Sequence, residues 1–115
     1  MAGYTLTIRR EGASDKTRFD ALDKALDALE ERLREASRAQ RGETQGALFR
    51  DYEPVEIVAV RGEIAGGGVR AGVDVRADGS TEAFTGRLRR ALVAQRSGES
   101  AYDALRRVVA TDGTA

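Results

Sequence analysis

Three groups of residues have the types and spacing to do chemistry. Glu63 and Asp74 fall on adjacent predicted strands, and two carboxylates meeting in a cleft could share general acid and base roles. Gly66-Gly67-Gly68 has the composition of a loop whose backbone amides cradle phosphate. Arg87, Arg89, Arg90 and Arg96, joined by Arg106 and Arg107 from a predicted last helix, could grip the phosphates of a nucleic acid.

The context of each group decides its weight. A phosphate loop joins a strand to a helix amino terminus and carries a Lys or Ser/Thr, whereas strands flank these glycines and Arg70 is the only nearby cation. They read as a hairpin loop. Glu63 and Asp74 would face outward from a flat sheet, where carboxylates are ordinarily solvated charge. Single-strand binding by the Arg group would also want aromatic rings for stacking, and the expected register turns Tyr4 and Phe84 inward. A duplex could be held through its phosphates alone.

Absent residue types narrow the chemistry further. The sequence has no His and no Cys, so the commonest general base, the commonest transition-metal ligand and every thiolate are missing. Zinc, copper and haem sites of the usual kinds, disulfides and cysteine nucleophiles are not expected. No nucleophile elbow, dinucleotide fingerprint or internal repeat appears, and the expectation is a non-enzyme without metal or cofactor. Basic and acidic residues balance at 19 each. Seventeen of the basic residues are Arg, a bias that accompanies abundant Ala and Gly, fits a GC-rich genome and lowers the weight of any single Arg. No stretch approaches the roughly 18 apolar residues of a membrane span, and the amino terminus lacks a secretory pattern, so a cytoplasmic protein is expected.

The elements that must position these residues centre on 55 to 88. Val69, Ala71, Val73, Val75 and Ala77 alternate with polar residues or glycine, the signature of a strand buried on one face. Upstream, β-branched residues fill 55 to 64, and a loop at 65 to 68 would pair Ile64 with Val69, Gly62 with Ala71, Val60 with Val73 and Val58 with Val75. Asp78-Gly79 predicts a two-residue type I′ turn, which pairs Val75 with Glu82 and Val73 with Phe84 and places Phe84 and Leu88 on the inner face. A helix over 80 to 95 is the rival reading, disfavoured by Gly86, which would cost about 1 kcal/mol in mid-helix. The outer face would carry Thr5, Thr7, Arg9, Arg61, Glu63, Arg70, Asp74, Arg76, Thr81, Thr85 and Arg87, with Ile57 and Ala59 making it partly apolar.

Around this meander, Tyr4, Leu6 and Ile8 alternate as a first strand, and residues 11 to 15 read as a turn. A helix is predicted from near Thr17, where Thr17 and Asp20 have capping-box spacing, with Phe19, Leu22, Leu26, Leu29 and Leu33 as one apolar stripe. Residues 40 to 54 read as a long loop in which Leu48, Phe49 and Tyr52 form an apolar patch that either closes the core or meets a partner. The segment from 89 to 95 is ambiguous, with a strand end or bulge expected before Arg90 can enter the core. Ser100 and Asp103 cap a last helix, and 111 to 115 should fray.

These elements predict one α+β domain over residues 1 to 115, a two-layer sandwich in the order β-α-β-β-β-α with a four-stranded mixed sheet and both helices on one face. That order resembles the ribosome hibernation factors and, in part, double-stranded-RNA-binding domains; Ser100-Ala101-Tyr102-Asp103-Ala104 resembles the small-and-aromatic start of the final helix in the hibernation factors. Their strongly basic helical surface has no counterpart here. The leading expectation is a non-catalytic binding or assembly module whose partner is another protein or a second copy. Leu48, Phe49, Tyr52, Ile57, Arg61, Arg70 and Arg76 are its candidate contacts. The alternative is an RNA- or ribosome-binding protein using Arg87, Arg89, Arg90, Arg96, Arg106 and Arg107.

Overall fold

A computed structural model describes residues 3–46, 57–86 and 90–113. Six strands and two helices follow one another as β1 (Tyr4–Arg10), β2 (Ala13–Phe19), α1 (Leu22–Gly46), β3 (Val58–Gly66), β4 (Val69–Arg76), β5 (Thr81–Thr85), β6 (Ala91–Leu92) and α2 (Ala101–Gly113). The strands form a single sheet in the order β2-β1-β3-β4-β5-β6, and every neighbouring pair is antiparallel. The expected four-stranded mixed sheet is therefore corrected to six antiparallel strands, and the order on which the hibernation-factor resemblance rests is altered by a strand ahead of α1.

That strand is β2, where the sequence predicts a turn and the start of a helix. Only Thr17 and Phe19 of its seven residues are even half-buried, because β2 is an edge strand and its polar side chains can stay in water. Backbone pairing with β1, from Tyr4 opposite Phe19 to Arg10 opposite Ala13, holds a stretch whose side chains carry almost no strand signal. Thr17 consequently caps no helix; it faces Leu6 across the ladder and its Oγ1 accepts a 3.0 Å hydrogen bond from Arg32 of α1. Because β1 and β2 form a hairpin before α1, the chain re-enters at β3 antiparallel to β1, and the parallel crossover is not made.

Phe19, expected to open the apolar stripe of α1, instead ends β2, and from Leu22 onward the stripe behaves as its spacing predicts and then continues. Leu26, Leu29 and Leu33 are buried, Leu22 packs half-buried beside them, and Ala25, Ala36 and Ser37 extend the buried face. The helix runs to Gly46, so the first part of the expected 40–54 loop is helical, and the remainder, with Leu48, Phe49 and Tyr52, lies outside the described residues. Helix α2 adds Ala101, Tyr102, Ala104, Leu105 and Val109 to the same core. Ser100 and Asp103 form the expected reciprocal cap, the Ser100 amide donating to Asp103 Oδ2 and the Asp103 amide to Ser100 Oγ, each at 3.1 Å.

Two hairpin loops set the register. The β3–β4 loop is only Gly67-Gly68, with φ of 56° and 80°, the left-handed pair that a type I′ turn requires. It pairs Ile64 with Ala71 and Val60 with Val75, two residues from the expected register, and a slip of two keeps every side chain on its face. The β4–β5 loop is one residue longer than predicted. Asp78 Oδ1 accepts hydrogen bonds from both the amide and the hydroxyl of Ser80, the Gly79 amide donates to the Arg76 carbonyl, and Gly79 takes the left-handed conformation of a three-residue loop. Val75 then faces Thr81 and Gly72 faces Phe84. A slip of one moves all of β5 to the opposite face.

Phe84 is therefore on the outer face, not in the helix-covered core, and it is still only 1% exposed. Its ring lies across Gly72, where an added Cβ would stand 2.7 Å from Phe84 Cζ and would also run into the Gly62 carbonyl oxygen. Alanine at position 72 should destabilise the fold by about 1–3 kcal/mol through overpacking. Chemical denaturation of Gly72→Ala checks this, and an unchanged midpoint would mean that no ring occupies that space.

In the core, Ser37 Oγ and Tyr102 Oη are buried with no hydrogen-bond partner among the described residues, and the Arg34 guanidinium lies 4.9 Å from the Tyr102 ring centroid. Burial raises the Tyr102 pKa above its ordinary value, with Arg34 opposing. The unfolded chain ionises this phenol more readily than the folded one, so stability should fall as pH rises above about 10. Tyr102→Phe should lose that decline and match or exceed the parent at neutral pH by up to about 1 kcal/mol, as read from denaturation midpoints across pH.

Candidate functional site

Both helices cover the face that carries Leu6, Ile8, Val60, Ile64, Ala71, Val73, Val75 and Ala83, and among the described residues no helix or strand packs over the other. Directly opposed residues share a face, so the open surface reads as rows across the strands. One row runs Arg18, Thr5, Ala65, Arg70; the next runs Lys16, Thr7, Glu63, Gly72, Phe84, Leu92; a third runs Ser14, Arg9, Arg61, Asp74, Glu82. Val58 and Arg76 follow at the far end, beyond a β-bulge at the start of β3.

The charges on this face divide into two bands. Toward the bulge, Arg61 holds Asp74 through two hydrogen bonds, Arg76 reaches Glu82 at 2.7 Å, and Arg9 reaches Glu63 at 3.2 Å. The bond to Asp74 raises the Arg61 pKa further. Toward the Gly67-Gly68 turn, Lys16, Arg18 and Arg70 have no carboxylate partner among the described residues, and neither has Arg90. Among the described residues, seven cations thus stand against three anions on this face. A chain neutral in total places net +4 among the described residues of this face.

Phe84 sits beneath two of those cations. The Arg61 guanidinium carbon is 5.4 Å and that of Arg90 4.8 Å from the ring centroid, within cation–π range. Arg61 is anchored by Asp74, whereas Arg90 is exposed and among the described residues is held only by the ring. The sequence reading missed this aromatic because the face of Phe84 depends on one loop residue, and the Asp78-Gly79-Ser80 run was the signal that could have flagged a longer loop. Arg90, which an unbroken strand would have carried toward the core, lies over the outer face, and β6 pairs Leu92 with Phe84.

The remaining candidates divide between the face and its surroundings. Arg61, Arg70 and Arg76 lie together on it. Ile57 is half-buried ahead of β3, and Ala59, expected to face outward, packs against the core because the bulge absorbs one residue; Val58, 42% exposed, takes the outer position. Thr81 and Thr85 move to the inner side with the β5 register, and Glu82 and Phe84 replace them. Arg87, Leu88 and Arg89 lie outside the described residues, as do Leu48, Phe49 and Tyr52. Arg96 is exposed on the turn before α2.

Arg106 and Arg107 are engaged within the fold. Burial works against the charge of Arg106, but bonds to Glu30 and to Asp27 of α1 outweigh it and hold its pKa above the usual value. Arg107 grips both oxygens of Glu99 and donates to the Ala94 carbonyl. The bond from Arg107, followed by one from the Arg96 amide, lowers the Glu99 pKa to about 2. Those two guanidiniums brace α2 against the preceding turn and against α1.

No protein-family model matches the chain, and no curated protein and no solved structure matches it. Among the described residues no cluster of three or more His, Cys, Asp or Glu is placed to hold a metal ion, and no helix is long and apolar enough to cross a membrane.

The lowered pKa of Glu99 yields a pH signature. Its pairing stabilises the fold above about 4.5 and is lost as pH falls toward about 2. Thermal melts from pH 6 down to about 2 should show a steeper loss for the parent than for Glu99→Gln, and parallel curves would mean that the Arg107 pairing contributes nothing.

Proposed function

We propose that this protein is a non-catalytic binding module that acts through the open face of its sheet on a partner presenting negative charge. The observation that carries the reading is the segregation of charge: among the described residues, a face of net +4 whose cations without a carboxylate partner gather at one end, on a chain of zero net charge. A face that only needed solvating would tolerate charges of either sign in any arrangement, whereas a one-signed band steers and holds an opposite charge.

Two observations speak against an active site here. Glu63 and Asp74, the only pair of carboxylates that spacing put forward, are each bound to an arginine on a flat surface. Ion-paired carboxylates of that kind hold the sheet together and are poorly placed to move protons. The carboxyl-half arginine patch is also weakened as a docking site, because Arg106 and Arg107 would have to abandon Asp27, Glu30 and Glu99 to meet a ligand.

Size-exclusion chromatography with light scattering tests this on protein taken directly from cells, at low and moderate salt, with absorbance recorded at 260 and 280 nm. The expected result is a complex or associated species at low salt that moderate salt dissolves, and that is absent in the Arg18→Glu, Arg70→Glu double variant. A monomer at both salts, or a complex unchanged by the double variant, would remove the open face as the binding surface.

A further inference from the structure

The geometry points to a single-stranded nucleic acid as the occupant of this face, lying across the strands with a base stacked on the Arg90–Phe84 pair; the inference rests on the binding-face reading above. The first support is the lane itself. Between Arg18 on β2 and Arg70 on β4 the row holds only Thr5 and Ala65, and the next row runs Thr7, Glu63 and Gly72, with the Glu63 carboxylate turned to Arg9. From β2 to β6 the lane crosses five strand spacings, about 24 Å. That length suits about four nucleotides, the lower end of what one small domain covers.

The second support is chemical. Phosphates need cations that are free to meet them, and Lys16, Arg18, Arg70 and Arg90 have no carboxylate partner among the described residues. A flexible strand also needs planar partners for its bases. Arg90 supplies one: the residue is exposed, its guanidinium carbon is 4.8 Å from the Phe84 centroid, and Phe84 is itself held against Gly72. A base can stack on the outer side of the guanidinium, so that ring, cation and base form a three-layer pile. A duplex, with its bases already stacked, gains nothing from that platform, and a sulfated polysaccharide has no bases to offer it.

Fluorescence anisotropy with labelled U12 and dT12, against a 12-base-pair duplex and a heparin fragment as competitors, tests the inference. Four phosphate contacts predict a slope of about −3 for log affinity against log salt. Arg18→Glu with Arg70→Glu should reduce that slope to about −1.5. Arg90→Lys, which keeps the charge and loses the plane, should weaken oligonucleotide binding about tenfold and leave heparin binding unchanged. Preference for U12 over dT12 assigns RNA, and the reverse assigns DNA; either upholds the inference.

Duplex or heparin binding as tight as the single strands, with Arg90→Lys without effect, would overturn it, as would no binding at about 50 mM salt. If the chromatographic complex is present and face-dependent while the oligonucleotides fail, the binding face stands and the single-strand occupant falls. If both fail, the face itself is not a binding surface.

Discussion

The contact between Phe84 and Gly72 is the one on which the character of the open face depends. It joins β4 to β5 on the side away from the helices, and it exists only because the loop between those strands has three residues. Asp78 secures the third by accepting both hydrogen bonds of Ser80, and Gly79 supplies the left-handed backbone that closes it. Without a side chain at position 72, the ring can pack against the sheet there, and two guanidiniums approach it. A large apolar group is thereby buried outside the main core, in a place where most sheets of this layout carry only polar side chains.

The same contact organises the electrostatics. Arg61 is drawn between Asp74 and the ring, which ties β3 to β4 and β5 at once. With Arg9–Glu63 and Arg76–Glu82, this uses the acidic residues of the face at the bulge end. What remains at the other end is positive by subtraction. The cationic lane therefore owes more to where the carboxylates are held than to an accumulation of arginines, and an arginine-rich composition by itself would not have produced it.

The two helices divide a different task. Helix α1 spans four strands with its leucine and alanine face, and α2 covers β4 and β5 and is bound to α1 through Arg106. The reciprocal Ser100–Asp103 cap and the Glu99–Arg107 pair fix where α2 begins. Arg106 and Arg107, which look like part of a nucleic-acid patch in the linear sequence, are in this way spent on joining secondary elements, while Lys16, Arg18, Arg70 and Arg90 on the sheet face have no carboxylate partner among the described residues.

Local periodicity and local chemistry are legible in the linear chain. The leucine stripe of α1, the alternation of β1, β3 and β4, the capping box of α2 and the one-sided core were all legible, because each repeats at the spacing of its element and is stabilised by near neighbours. Also legible was the exclusion of imidazole and thiolate chemistry, which needs no geometry. The tertiary structure alone decided the rest. β2 has too few apolar residues to announce a strand, and it exists because β1 offers an unpaired edge to its backbone. The face of Phe84 was decided by one loop residue, since a period of two converts a single-residue slip into a change of side. Which arginines are free was decided by contacts between residues as far apart as Asp27 and Arg106, a separation over which no sequence pattern operates.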